Sequence, residues 1–169
     1  LFWCYPRGHV PSALSHLECS SCGDRFDADI PQSVCTKCQR PLLPRYDLGA
    51  VRRALVDPLA AWRSRPADDG LWRFFEVLPV RRRENVVTLG EGATPLLPAP
   101  RLARRLGLGA EDLLLKDEGK NPTGSFKARG MAVAVSRALE LGATALCVPS
   151  AGNAGSALAA YAARAGVAA

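Results

Sequence analysis

Apolar residues recur at helical spacing through Val51, Leu55, Leu59 and Trp62, and Asp47 stands where a side-chain cap belongs. This predicts a helix over 47–65, kinked or divided by Pro58. A turn follows at Arg65-Pro66-Ala67-Asp68-Asp69-Gly70, then a short aromatic helix at 71–75 ending near Pro79. Trp72, Phe75 and Leu78 are expected to pack this linker against the larger part of the chain. Residues 90–100 read as a loop rich in glycine and proline. Beyond them the pattern alternates: a helix at 101–106, a buried strand at 113–116, a helix at 125–141, a strand at 143–148, and a small-residue helix at 152–165. Phe126, Val133, Ala134, Ala138 and Leu141 are the expected apolar positions of the 125–141 helix, and Val167 starts a third strand. Strand, helix, strand, helix, strand predicts an α/β fold with a parallel sheet. In such sheets ligands collect at the loops beyond the strand C-termini.

The N-terminal part follows a different rule. Cys19-x-x-Cys22 and Cys35-x-x-Cys38 are separated by twelve residues. A two-residue gap lets two thiolates of one tight turn reach the same ion, and Gly23 gives such a knuckle its freedom. Two facing knuckles close a tetrahedral shell, a structural rather than a catalytic zinc site. Two disulfides in a secreted domain are the rival reading. The absence of a visible export signal favours metal: Leu1-Phe2-Trp3-Cys4-Tyr5 is too short and is broken at once by Pro6-Arg7-Gly8. Cys147 is expected to pack as a small buried hydrophobe. The organisation expected is 1–13 unassigned, 14–46 zinc ribbon, 47–80 helical linker, and 81–169 the start of an α/β catalytic domain.

Composition narrows the function classes. With 48% hydrophobic and 22% charged residues in 169, the chain has the profile of a folded domain. No apolar run approaches the ~18 residues a membrane span needs, so no membrane partner is expected. The charge of +6 falls to about +4 if four thiolates hold a zinc ion, too little to argue for nucleic acid. A ribbon that binds nucleic acid is the rival reading from another class, but the ribbon's loop carries Asp24, Asp27 and Asp29 and few aromatics. Only Lys37, Lys116, Lys120 and Lys127 among 22 basic residues are lysines, the one side chain offering a primary amine. Gly166-Val167-Ala168-Ala169 is an apolar run without a turn, and is expected to mark a C-terminal truncation.

Two loops carry candidate chemistry. In the first, Asn121-Pro122-Thr123-Gly124 is strong turn chemistry, and Ser125 is a fair N-cap. Lys127 then falls in the first helical turn, where a cation is disfavoured by the helix dipole. A depressed ammonium pKa suits an imine-forming lysine, whereas a solvated outer-face lysine needs no function at all. In the second loop, Pro149 to Ser156, Gly152 and Gly155 either let backbone N–H groups approach an anion or allow close helix packing.

Taken together, Asn121-Pro122-Thr123-Gly124-Ser125-Phe126-Lys127 and Ser150-Ala151-Gly152-Asn153 resemble the pyridoxal-phosphate enzymes of fold type II. With Leu89-Gly90-Glu91-Gly92-Ala93-Thr94-Pro95-Leu96 ahead, and the cysteine ribbon, the chain is similar over 15–169 to the threonine synthase family. The resemblance implies pyridoxal 5'-phosphate as cofactor beside the structural zinc ion. It implies that Lys127 forms the internal aldimine, Phe126 lies against the cofactor ring, and Asn153 hydrogen-bonds the phenolic oxygen. Ser150, Ala151, Gly152 and Asn153 would hold the substrate carboxylate. The reaction implied converts O-phosphohomoserine and water to threonine and phosphate, in a cytoplasmic enzyme acting on a small amino-acid substrate and homodimeric when full length. The cofactor's phosphate cradle is then expected beyond Ala169, and the 169 residues alone are expected to be inactive. Two departures bear on the substrate. Ala128 stands between Lys127 and Arg129, where threonine synthases commonly carry Asp, and Ala151 and Ala154 replace two threonines of the second motif. Both make a threonine or serine ammonia-lyase the alternative enzyme.

Overall fold

The structure, a computed structural model, describes residues 10–169, so Cys4 and most of the unassigned N-terminal stretch lie outside the described residues. These residues divide into two compact units. The first holds 10–66, Trp72–Val86 and Ser136–Ala143; the second holds Ala67–Leu71, Val87–Val135 and Thr144–Ala169.

The first unit is built on a three-stranded antiparallel sheet, β1 (Leu14–Cys19), β2 (Arg25–Phe26) and β3 (Leu42–Tyr46), in the order β2-β1-β3. Leu17 stands opposite Phe26, and Cys19 opposite Leu42. Glu18 and Arg45 pair across the sheet at 2.6 Å. The helix expected over 47–65 is two helices, α1 (Leu48–Leu55) and α2 (Pro58–Ser64). Asp47 Oδ1 accepts from Ala50 N–H at 2.8 Å, and Asp57 Oδ1 repeats the device for α2 at 3.0 Å. Pro58 sits in the first turn of α2, where its missing N–H costs nothing, so the proline divides rather than kinks. Val51 is buried, but Leu59 is exposed, so the apolar stripe stops at the break.

The aromatic segment is a 3-10 helix over Ala67–Val77, longer than the 71–75 expected. Trp72 and Phe75 are buried, with Arg83 lying over the Phe75 ring at 4.3 Å. Glu76 is completely buried and is satisfied by Arg65 at 2.6 Å and by Trp62 Nε1 at 3.1 Å. A second network joins Asp29 to Arg81 at 2.9 Å and to Arg137 at 2.5 Å, while Glu140 accepts from the backbone N–H groups of Arg81 and Arg82. A buried carboxylate is tolerated only with such partners, so these pairs fix geometry more than they add stability.

In the second unit, β4 (Leu96–Pro98) pairs antiparallel with β5 (Leu114–Lys116), Leu96 opposite Lys116. A short helix, α3 (Pro100–Arg105), lies between them in sequence. The strand expected to be buried is instead exposed, with Leu114 and Leu115 about half accessible. A two-stranded ladder leaves both faces of its side chains without cover. The expected strand at 143–148 is likewise reduced to one parallel bridge, Ala145 to Ala168, with Leu146 N–H donating to Ala168 O at 2.9 Å. This bridge is the one parallel pairing among the described residues.

The two expected long helices are present as α4 (Lys127–Glu140) and α5 (Asn153–Ala165), the latter ended by Gly166 in the left-handed conformation. The apolar face expected for α4 is displaced. Ala128, Ala132, Val135 and Ser136 are buried, whereas Phe126 is 58% exposed and Ala134 is exposed. Close packing selects the alanines, which hydrophobicity alone ranks below phenylalanine. α5 buries Ala157, Leu158, Tyr161 and Ala162. No helix among the described residues is long and apolar enough to cross a membrane.

Candidate cofactor site and cysteine cluster

The four ribbon cysteines converge. Their sulfurs all lie within 4.8 Å of one another, with Cys19–Cys38 at 3.4 Å, Cys22–Cys35 at 3.6 Å and Cys22–Cys38 at 3.8 Å. A tetrahedral zinc shell with bonds of about 2.3 Å places its sulfurs about 3.8 Å apart, so the cluster fits a metal ion such as zinc. None of the four is bonded in a disulfide. Each knuckle turns the same way: Gly23 N–H donates to Cys19 O, and Gln39 N–H to Cys35 O at 2.9 Å. Gly23 adopts φ +75° and Gln39 φ +58°, so the second knuckle makes its left-handed turn without glycine. The Cys22 and Ser21 backbone N–H groups donate to the Cys19 sulfur and lower its thiol to about 6. At Cys22 the Asp24 backbone N–H favours the thiolate, but hydrogen bonding to Cys19 and desolvation push it up to about 12. Sulfurs this close do not all ionise without a cation among them.

In the second unit the chemistry-bearing loops rest on two carboxylate networks, one buried and one partly exposed. Glu91 is fully buried and accepts from Tyr161 Oη at 2.6 Å, from Thr88 Oγ1 at 3.1 Å and from Leu89 N–H at 3.1 Å. This ties the 89–95 loop to α5. Burial, with the Glu91 carboxylate beside it, pushes the Tyr161 phenol far up, so it stays a donor. The second network centres on Glu118. Arg129 Nε donates to Oε2 at 2.7 Å and Nη2 to Oε1 at 2.8 Å. Thr94 Oγ1 donates to Oε1 at 2.6 Å and Asn121 Nδ2 to Oε2 at 3.0 Å. Arg129, then Thr94, hold the Glu118 carboxyl down at about 2. Asn121 Oδ1 in turn accepts from Gly92 N–H at 3.1 Å, and Lys116 Nζ donates to Thr94 O at 2.8 Å. Ala93, between Gly92 and Thr94, is held at φ +49°, a conformation that costs an L-residue about 1–2 kcal/mol.

Lys127 is the first residue of α4 and is exposed. Its ammonium stands 4.9 Å from the centre of the Phe126 ring and has no carboxylate partner among the described residues. Ser125 Oγ accepts from Lys127 N–H at 3.3 Å, the local cap the sequence suggests. In the same turn Thr123 Oγ1 is shut off from solvent with no hydrogen-bond partner. Asn153 begins α5, whose N-terminus has no side-chain cap. The first intrahelical bond is Ser156 N–H to Gly152 O, which leaves the N–H groups of Asn153, Ala154 and Gly155 without a helical acceptor. Ser150 Oγ accepts from Gly152 N–H at 3.2 Å, and Ser150, Ala151, Gly152 and Asn153 are all exposed. Gly155 has a packing reason, since a Cβ there would meet Ser150 O at 2.4 Å; a Cβ at Gly152 would make only an ordinary contact with Ser150 Oγ, at 4.0 Å. Cys147, expected to be buried, is exposed, because the backbone around it makes a bridge and not a covered strand.

The Lys127 amine beside an exposed aromatic ring suits a carbonyl-bearing aromatic cofactor such as pyridoxal phosphate, and the uncapped start of α5 separately suits an anionic group. Sequence reasoning did not single out Glu118, Arg129, Tyr161 or Asn121 as a network. The available signal was a second cation, Arg129, at the positive end of the same helix, which calls for an acid from elsewhere.

Comparison with known proteins points the same way. Residues 87–169 match the family model described as pyridoxal-phosphate dependent enzyme. The chain is 40% identical over 154 residues to the threonine synthase of Methanosarcina acetivorans, covering 91% of this chain and 36% of that protein. It is 40% identical over 148 residues to the threonine synthase of Methanocaldococcus jannaschii, covering 88% and 35%. Over 90 residues it is 53% identical to that of Synechocystis sp., covering 53% and 23%. The chain thus spans about a third of the length of the first two relatives. Residues 87–169 belong to the pyridoxal-phosphate-dependent enzyme family, and the chain around them is similar to threonine synthases.

Proposed function

We propose that the protein is a threonine synthase, converting O-phosphohomoserine and water to threonine and phosphate, with Lys127 as its reactive amine. The observation that carries the reading is Lys127 itself: an exposed amine without a counter-ion, opening α4 beside an exposed Phe126. Pyridoxal phosphate, when bound, supplies the electron sink that stabilises a carbanion beside the substrate nitrogen. Lys127 would hold the cofactor and then move protons at its ε-nitrogen. Phe126 would lie against the cofactor ring, and Asn153 would hydrogen-bond its phenolic oxygen. Ser150 Oγ and the backbone N–H groups of Ala151, Gly152 and Asn153 would receive the substrate carboxylate. The ribbon cysteines, closed on one another, leave no open position for substrate, which supports a structural role for zinc.

The similarity to threonine synthases across both the ribbon and the loops supports this substrate over that of an ammonia-lyase. Ala128, Ala151 and Ala154 are the residues that favour the second reading. Ala128 is fully buried, so an aspartate there would need a partner, and alanine is the residue that packs. The test supplies the protein, at its natural length and loaded with pyridoxal phosphate, with O-phosphohomoserine or with threonine. Equal amounts of threonine and phosphate from the first are expected. Ammonia and a 2-oxo acid from the second, without phosphate release from the first, would assign the lyase reaction instead.

A further inference from the structure

Helix α4 opens with two cations, Lys127 and Arg129, at the helix end that disfavours positive charge. Their surroundings are opposite. Arg129 is forked onto both oxygens of Glu118, at 2.7 Å and 2.8 Å, and also reaches Thr94 Oγ1 at 3.0 Å. Lys127 has no carboxylate partner among the described residues. Two residues along an α-helix is a rotation of about 200°, so a carboxylate engaged with Arg129 sits on the far side of the helix from Lys127.

Glu118 is also the point where three segments meet. Thr94 of the glycine-rich loop and Asn121 of the following turn both donate to it, and Asn121 accepts from Gly92 N–H. A planar guanidinium forked on a carboxylate fixes direction as well as distance, which a lysine at position 129 would not do. Ala128, between the two cations, is fully buried, so the first turn of α4 has little freedom to roll about its own axis.

We infer that Glu118, Arg129 and Thr94 form a positioning device for Lys127, anchoring the first turn of α4 on the 92–94 loop while leaving the lysine amine without a counter-ion. The inference rests on the reading of Lys127 as the reactive amine. It adds that the amine's reactivity depends on a pair that touches neither cofactor nor substrate. Breaking the fork releases the first turn of the helix from the 92–94 loop and lets the Lys127 amine shift from its place.

The experiment compares the unaltered protein with R129K and E118Q, all at natural length and with circular dichroism confirming the fold. Each is treated with pyridoxal phosphate and then borohydride, and peptide mapping gives the initial rate of labelling at Lys127 relative to Lys37 of the same chain. Repeating this between about pH 6 and 9 reports the amine's protonation along with its placement. The expected result is a fall of about tenfold in the Lys127 to Lys37 ratio for R129K, a misplacement effect. E118Q, which keeps the side chain's size but puts an amide donor where one oxygen accepted, is expected to lower the ratio severalfold and serves if R129K does not fold. A role in stability alone would lower the melting temperature and leave the ratio and its pH profile unchanged, and that result overturns the inference. Labelling of Lys116 or Lys120 in place of Lys127 in the unaltered protein is a separate outcome, which overturns the reading of Lys127 itself and the inference with it.

Discussion

Tyr161 donates a 2.6 Å hydrogen bond to Glu91, and both side chains are completely buried. One belongs to the third turn of α5 and the other to the glycine-rich loop, 70 residues earlier in the chain. The bond therefore registers the Ser150–Asn153 helix start against the loop that carries Thr94. Tyr161→Phe removes one donor from a buried carboxylate that also accepts from Thr88 and Leu89 of the loop. The expected cost is about 1–3 kcal/mol in urea unfolding. A loss within experimental error would show that the carboxylate is satisfied without the phenol.

Gly152 and Gly155 should separate cleanly. A Cβ at Gly155 would stand 2.4 Å from Ser150 O, so Gly155→Ala must displace either the loop or the helix. A destabilisation of about 1–3 kcal/mol is expected, as for other overpacked sites. Gly152 has φ −114° and only Ser150 Oγ as a neighbour, at 4.0 Å, so Gly152→Ala is expected to stay within about 0.5 kcal/mol. Thermal unfolding of the two variants side by side checks the ordering.

Much of this was readable from the chain, and the limits have physical causes. The two cysteine knuckles were legible because metal chemistry fixes their spacing, and the Asp47 cap because only one side chain there can accept from the helix start. Gln39 was not, since a left-handed turn without glycine leaves no compositional mark. The buried face of α4 was misassigned because Ala128 and Ala132 pack where Phe126 does not, and periodicity weighted by hydrophobicity sees the phenylalanine first. The burial expected of the strands differs for another reason: the run Leu113–Leu115 does supply β5, but it is buried only if neighbours cover it. Glu118 and Arg129 were invisible as a pair because eleven residues and a turn separate them.

Acid unfolding should report on Glu118. Its carboxyl is held at about 2 by Arg129 and Thr94, against an ordinary value of about 4.3 in the unfolded chain. A depressed folded-state value stabilises the fold above the unfolded value, and that stability is lost as pH falls from about 4 toward 2. Asp29, lowered by Arg81 and Arg137, acts in the same direction. Glu118→Gln should therefore flatten the stability profile between about pH 4 and 2, measured by urea unfolding at each pH. An unchanged slope would mean that the Glu118 carboxyl titrates alike in the folded and unfolded chain, so that Arg129 and Thr94 do not hold it down.

Metal analysis of the purified protein should find one zinc ion per chain. Cys35 is fully buried within the cluster, so Cys35→Ser removes a ligand that no water can replace without opening the ribbon. Loss of the metal and a lower melting temperature are expected, with the change confined to the ribbon unit because small metal-stapled folds depend on their ion. Retention of the metal by Cys35→Ser at an unchanged melting temperature would contradict the four-sulfur site.

The most direct test of the central claim is the position of the covalent label. The protein at natural length, saturated with pyridoxal phosphate and reduced with borohydride, is digested and mapped by mass spectrometry. The account predicts a pyridoxyl group on Lys127, with Lys116 and Lys120 unlabelled, and loss of the cofactor's visible absorbance in Lys127→Ala. A label on Lys116, whose ammonium is engaged with Thr94 O at 2.8 Å, or an undiminished spectrum in Lys127→Ala, would contradict it.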